Sequence, residues 1–86
     1  MIIKYSKAAL KFLAKADKST LTRIRNAIEG LTHLPPDGDI KIMQGYSDGR
    51  QRLIVGKYRI VFRFTVENEI ELVYIIDIGS RGDIYK

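Results

Sequence analysis

The stretch RQRLIVGKYRIVFRFTV, residues 50–66, decides how this chain is read. Two runs rich in β-branched and aromatic residues flank Gly56-Lys57, a two-residue connection suited to closing an antiparallel hairpin. With those two residues as the turn, Val55 pairs with Tyr58, Leu53 with Ile60 and Gln51 with Phe62. Side chains alternate along a strand, so these six share one face, and Phe64 and Val66 extend it. Their apolar character assigns that face to the core. The opposite face receives Arg50, Arg52 and Ile54 from one strand and Arg59, Val61 and Arg63 from its neighbour. Arg50 then lies across from Arg63, and Arg59 across from Ile54. A slip of one residue would exchange the two faces, so the turn carries the whole assignment.

Within this stretch the basic side chains are Arg50, Arg52, Lys57, Arg59 and Arg63, and no acidic residue accompanies them. Like charges facing each other across a ladder cost roughly a few tenths to 1 kcal/mol per pair. A face shaped only by folding would intersperse carboxylates, as Glu67, Glu69 and Glu71 do further on. The preference for arginine over lysine suits planar, bidentate binding of phosphate. The expectation is an arginine-rich, carboxylate-free face that holds a polyanion.

Outward from the hairpin, residues 40–43 read as a strand, followed by the turn-forming run Gly45-Tyr46-Ser47-Asp48-Gly49. Glu67-Asn68 forms a further turn, and residues 70–78 make the most apolar strand, expected at the centre of the sheet. Toward the amino terminus, residues 2–5 read as a short strand. Ser6 is placed to cap a helix from Lys7, with Ala9, Phe12, Leu13 and Ala16 on one side. Asp17 is placed to cap a second helix, whose apolar stripe is Leu21, Ile24, Ile28 and Leu31. Pro35 and Pro36 stop it. Two helices with single apolar stripes need a sheet to cover. The expected fold is therefore α+β: an N-terminal strand and two helices packed on an antiparallel sheet of about four strands. Residues 1–86 are expected to make a single domain.

Composition narrows the chemistry. The chain has 86 residues, no cysteine and one histidine, His33. Disulfides, thiolate metal sites, cysteine nucleophiles and an imidazole-built zinc site are thereby excluded for one chain, and no cofactor or metal is expected. His33 reads as an ordinary helix-terminal residue. The first residues lack the pattern of a signal peptide and no apolar run spans a bilayer, so the expectation is a cytoplasmic protein without membrane contact. The formal charge of +5 points to an anionic partner. The ending Ile78-Gly79-Ser80-Arg81-Gly82-Asp83-Ile84-Tyr85 is polar and short. If it folds back beside the sheet, Arg81 and Tyr85 join the arginine face.

These features together resemble the RelE/ParE superfamily of bacterial and archaeal toxin–antitoxin toxins, in its RelE-like branch. The resemblance rests on Gly45-Tyr46, on Arg50-x-Arg52-x-x-x-Gly56-x-Tyr58-Arg59-Ile60-Val61-Phe62, and on Ile78-Gly79-Ser80-Arg81-x-x-x-Tyr85, in that order behind two helices. It implies a RelE-like fold and a metal-independent, ribosome-dependent mRNA endoribonuclease in which a 2′-hydroxyl attacks its adjacent phosphate. By position it implies catalytic roles for Arg50, Arg52, Arg59, Arg81 and Tyr85, and phosphate binding by Arg50, Arg52, Arg59, Arg63 and Lys57. Tyr85 is the member able to exchange a proton, or else it stacks on a base. RelE-type toxins commonly carry lysine where this chain has Arg50 and Arg52. Arginine stays charged, so phosphate clamping carries over and a proton-transfer role does not. The resemblance also implies a cognate acidic antitoxin, the ribosome and mRNA as partners; Lys18, Arg23 and Arg25 on the second helix offer further basic surface. Two alternatives stay open: a ParE-like toxin that inhibits DNA gyrase without nuclease activity, and a catalytically impaired binding module.

Overall fold

The structure, a computed structural model, describes residues 1–80. Ser6 joins its first two elements. It ends strand β1 (Ile2–Tyr5) and caps helix α1 (Lys7–Lys15): its Oγ accepts from the Ala9 N–H at 3.0 Å and donates to the Ile76 carbonyl at 2.6 Å. One hydroxyl thus satisfies an orphan donor at the helix start and a carbonyl in the sheet. Asp17 does the same service for α2 (Lys18–Gly30), accepting from the Thr20 N–H at 3.1 Å. Hydrogen bonding from the Thr20 side chain, and next from its backbone N–H, holds the Asp17 carboxyl below the usual range. Both caps stand where the sequence put them.

Four more strands follow: β2 (Asp39–Ile42), β3 (Gln51–Val55), β4 (Tyr58–Glu67) and β5 (Ile70–Ser80). The sheet order is β1-β5-β4-β3-β2. The α+β reading holds, with one correction to the expected four-stranded antiparallel sheet. β1 joins as a fifth strand and runs parallel to β5, Ile3 beside Val73 and Tyr5 beside Ile75, so the sheet is mixed. Parallel neighbours need a long crossover, and here it runs through both helices and strands β2, β3 and β4. β5 is interior but not central; that place belongs to β4.

The hairpin register is the one the turn dictates: Gln51 faces Phe62, Leu53 faces Ile60 and Val55 faces Tyr58. Gly56 takes φ +59°, a conformation open to glycine at little cost. On the covered face, Ala9, Ile24, Ile28 and Leu31 from the helix layer meet Leu53, Ile60, Phe62, Val73, Ile75 and Ile78 from the sheet. Burying each large aliphatic or aromatic side chain contributes about 1.5–3 kcal/mol. The helix layer stops short of Val66, which is 62% exposed rather than covered. The second turn also differs by one residue: it is Asn68-Glu69, both with positive φ (+50° and +65°), as a type I′ hairpin requires.

β5 carries the decisive irregularity. Val61 pairs with Asp77 but Phe62 pairs with Ile75, so Ile76 is an extra residue, a β-bulge. Under strict alternation Asp77 would share a face with Ile75 and point beneath the helices. The bulge reverses the parity, burying Ile78 and leaving Asp77 exposed on the other side. Ser6 holds the carbonyl of the bulged residue.

Candidate functional site

The face away from the helices is built by register alone. Across β2, β3, β4 and β5 one row reads Asp39, Ile54, Arg59, Gly79, and the next reads Lys41, Arg52, Val61, Asp77. Arginines alternate with aliphatic residues, so Arg59 faces Ile54 and Arg52 faces Val61. The sharpest like-charge contact comes instead from Lys41 beside Arg52. The expectation of a carboxylate-free face fails. Asp39 reaches it from β2, and Asp77 from β5 through the bulge. Both lie outside the stretch 50–66 on which that expectation rested.

The loop between β2 and β3 supplies a third carboxylate. Asp48 grips Arg50 from two sides: Arg50 Nη2 donates to Asp48 Oδ2 at 2.9 Å and Nε to Oδ1 at 3.2 Å, while the Arg50 backbone N–H donates to Oδ1 at 3.1 Å. Arg50 then lies over the Tyr46 ring, 4.1 Å from guanidinium carbon to ring centroid. The Arg50 hydrogen bonds hold the Asp48 carboxyl below the usual carboxylate range, and the Arg63 charge lowers it further. In return Asp48 raises the Arg50 pKa above an already high value.

Arg59 is the buried member, only 3% exposed in the middle of a polar face. It opens onto a cleft of about 620 Å³ that runs from Ala8 and Phe12 of α1 across the bulge to Arg50 and Tyr46. Arg52 lines a separate hollow with Lys41 and Gln44. Arg63 lies 5.9 Å over the Tyr74 ring, on the same face but in neither hollow. Lys57 leans over the Tyr58 ring at 5.5 Å, and its charge helps lower the Asp17 pKa, so it belongs to the helix side. Arg81 and Tyr85 lie outside the described residues. His33 pairs with Asp37 beyond the end of α2, away from the cleft. Among the described residues no three His, Asp or Glu side chains gather as a metal site.

The family model for the ParE toxin of the type II toxin–antitoxin system parDE matches residues 3–85. The chain belongs to this toxin family. Solved structures agree on the fold. The RelB–RelE antitoxin–toxin complex from Methanococcus jannaschii is 26% identical, with a TM-score of 0.70 over 95% of this chain and 94% of that one. The YoeB/ParE toxin from Agrobacterium tumefaciens superposes with a TM-score of 0.76 at 15% identity, covering 94% and 99%. The isolated E. coli RelE toxin gives 0.66 at 22% identity, covering 98% and 89%. A comparison with curated protein sequences returned no match. The protein is therefore a type II toxin of the RelE/ParE superfamily.

Two residues that line the toxin's cleft, Tyr46 and Asp77, and one that holds Arg50 there, Asp48, were not singled out as site residues from the sequence. Asp48 left a signal, an aspartate two residues before an arginine in a glycine-bounded turn, which is an Asx-turn pattern. Tyr46 was legible as part of the Gly45-Tyr46 motif but not as a site residue, because the loop fold places it; Asp77 left no signal, because a bulge places it.

Proposed function

We propose that the toxin is a cytoplasmic, ribosome-dependent mRNA endoribonuclease that is restrained by an acidic antitoxin. The observation that carries this reading is Arg59: a guanidinium buried in a sheet face, opening onto a cleft shared with Arg50. Attack of an RNA 2′-hydroxyl on its adjacent phosphate needs that phosphate held in line and its growing negative charge stabilised. In this reading Arg59 and Arg50, which line one cleft, serve both needs, with Arg52 and Arg63 adding positive potential along the strand of RNA. The attack forms a 2′,3′-cyclic phosphate and releases a 5′-hydroxyl; the 2′-hydroxyl proton is taken up and another is given to the leaving oxygen. Arg81 and Tyr85 complete this set by resemblance to the RelE branch. Several of the similar structures are complexes with a RelB antitoxin, and a +5 chain calls for an acidic one.

The test is a translation extract programmed with one defined message, scored for new 5′ ends. Wild-type toxin should cut only while ribosomes translate, and Arg59→Leu should reduce cutting by about a hundred-fold or more, the scale on which losing one transition-state charge partner acts. Intact message with the wild type overturns the reading. A second reading follows from the matched family itself, whose toxins of the parDE type inhibit DNA gyrase. Cells expressing the toxin would then keep translating while they filament and show DNA damage.

A further inference from the structure

Tyr46 is half-exposed, yet its neighbours fix it. Arg50 covers one side of the ring at 4.1 Å, and Asp48 holds Arg50 by two guanidinium nitrogens and its backbone N–H. Gly45 and Gly49, at φ +87° and +76°, turn the chain sharply on either side. The Met43 N–H donates to the Arg50 carbonyl at 3.1 Å and closes the base of the loop. The ring is therefore oriented before any ligand arrives, with a cation against one π-face and half of the residue's surface open to solvent. It lines the same cleft as Arg59.

From this geometry we propose that Tyr46 is a stacking platform for one nucleobase of a single-stranded RNA whose phosphate lies against Arg59. Every base has a π-face, and a ring beside a cationic groove is the arrangement that binds single strands without reading their edges. The cation beside the ring adds to its fixity, and Asp48 holds that cation in place. Arg50 thus acts here as a positioning residue for Tyr46. The inference rests on the nucleic-acid reading of the cleft and adds which part of the nucleotide is held, and by what.

The experiment measures binding of the full-length toxin to a short fluorescent RNA, made non-cleavable by a 2′-methoxy group at every position. A matched set of oligonucleotides carries one abasic residue, moved stepwise along the strand. Wild-type toxin should bind, and one abasic position should weaken binding about ten-fold, the size of one base–aromatic stack. Tyr46→Leu should weaken binding to the intact RNA by a similar factor, Tyr46→Phe should retain it, and Tyr46→Leu should be indifferent to the abasic position. Leucine keeps an apolar side chain in the loop, and unchanged melting temperatures show that the fold survives. Binding by wild type with no loss in Tyr46→Leu overturns the platform and leaves the nucleic-acid reading intact. No binding by wild type, at salt concentrations low enough to favour phosphate contacts, overturns both.

Discussion

The two faces of one sheet use the same alternation for opposite ends. Under the helices, Leu53, Ile60, Phe62 and Val73 are almost wholly buried in one apolar cluster. On the other side the same strands present Arg52, Arg59 and Arg63, with Val61 across from Arg52, Ile54 across from Arg59 and Tyr74 across from Arg63, and with Asp39, Asp48 and Asp77 set around them. The covered face is specified by volume and hydrophobicity, which tolerate few alternatives. The open face is specified by charge placement, which adds little to stability. Neighbouring residues on one strand should therefore differ sharply in what their loss does.

The largest effect sets Phe62 against Arg63. Phe62→Ala removes a fully buried ring and should cost about 3–5 kcal/mol in urea unfolding. Arg63→Ala, one residue on and facing out, should stay within about 0.5 kcal/mol. Equal losses would break the contrast between the faces. Next comes Ser6, which ties the helix layer to the bulge that separates them. Ser6→Ala gives up both the Ala9 and the Ile76 bonds, for a loss of about 1–2 kcal/mol. Hydrogen exchange at residues 75–78 should rise in the same variant; if exchange there is unchanged, Ser6 does not hold the bulge.

Smaller effects sharpen the comparison at its edges. Glu69 sits at φ +65°, where a side chain is strained, so Glu69→Gly should raise stability by about 0.5–1 kcal/mol without altering either face. A fall in melting temperature would count against the turn as described. Asp48 should affect stability least. Its folded-state pKa is depressed, so its contribution is fully present above the ordinary aspartate value near 3.8 and disappears as pH falls through the lower, folded one. The Arg50 and Tyr46 resonances should then stay constant from about pH 5 to 8 and move only below about pH 4, whereas Asp48→Asn should show the moved positions at pH 7. Movement between pH 5 and 8 would mean that another group holds the loop.

Much of this was legible in the residues themselves. Gly56-Lys57 fixes the β3–β4 register because a two-residue turn leaves no freedom in pairing, and period-two alternation then assigns Phe62 inward and Arg59 outward. Ser6 and Asp17 announce their helices because capping is a local hydrogen bond, made within three residues of chain. The family follows from the same local order of motifs. What the tertiary structure alone decided is non-local. β1 lies parallel to β5 although each pair, such as Ile2 and Leu72, brings together residues 70 positions apart, which no window of sequence reports. The bulge at Ile76 turns Asp77 outward through a hydroxyl 70 residues away in the chain, and so sets a carboxylate on the face that the hairpin alone presents as purely basic. Burial of Arg59, and the orientation of Tyr46 beside it, arise where separate strands and a loop converge. Local pairing rules fixed which way each arginine points; packing between distant segments fixed what it meets there.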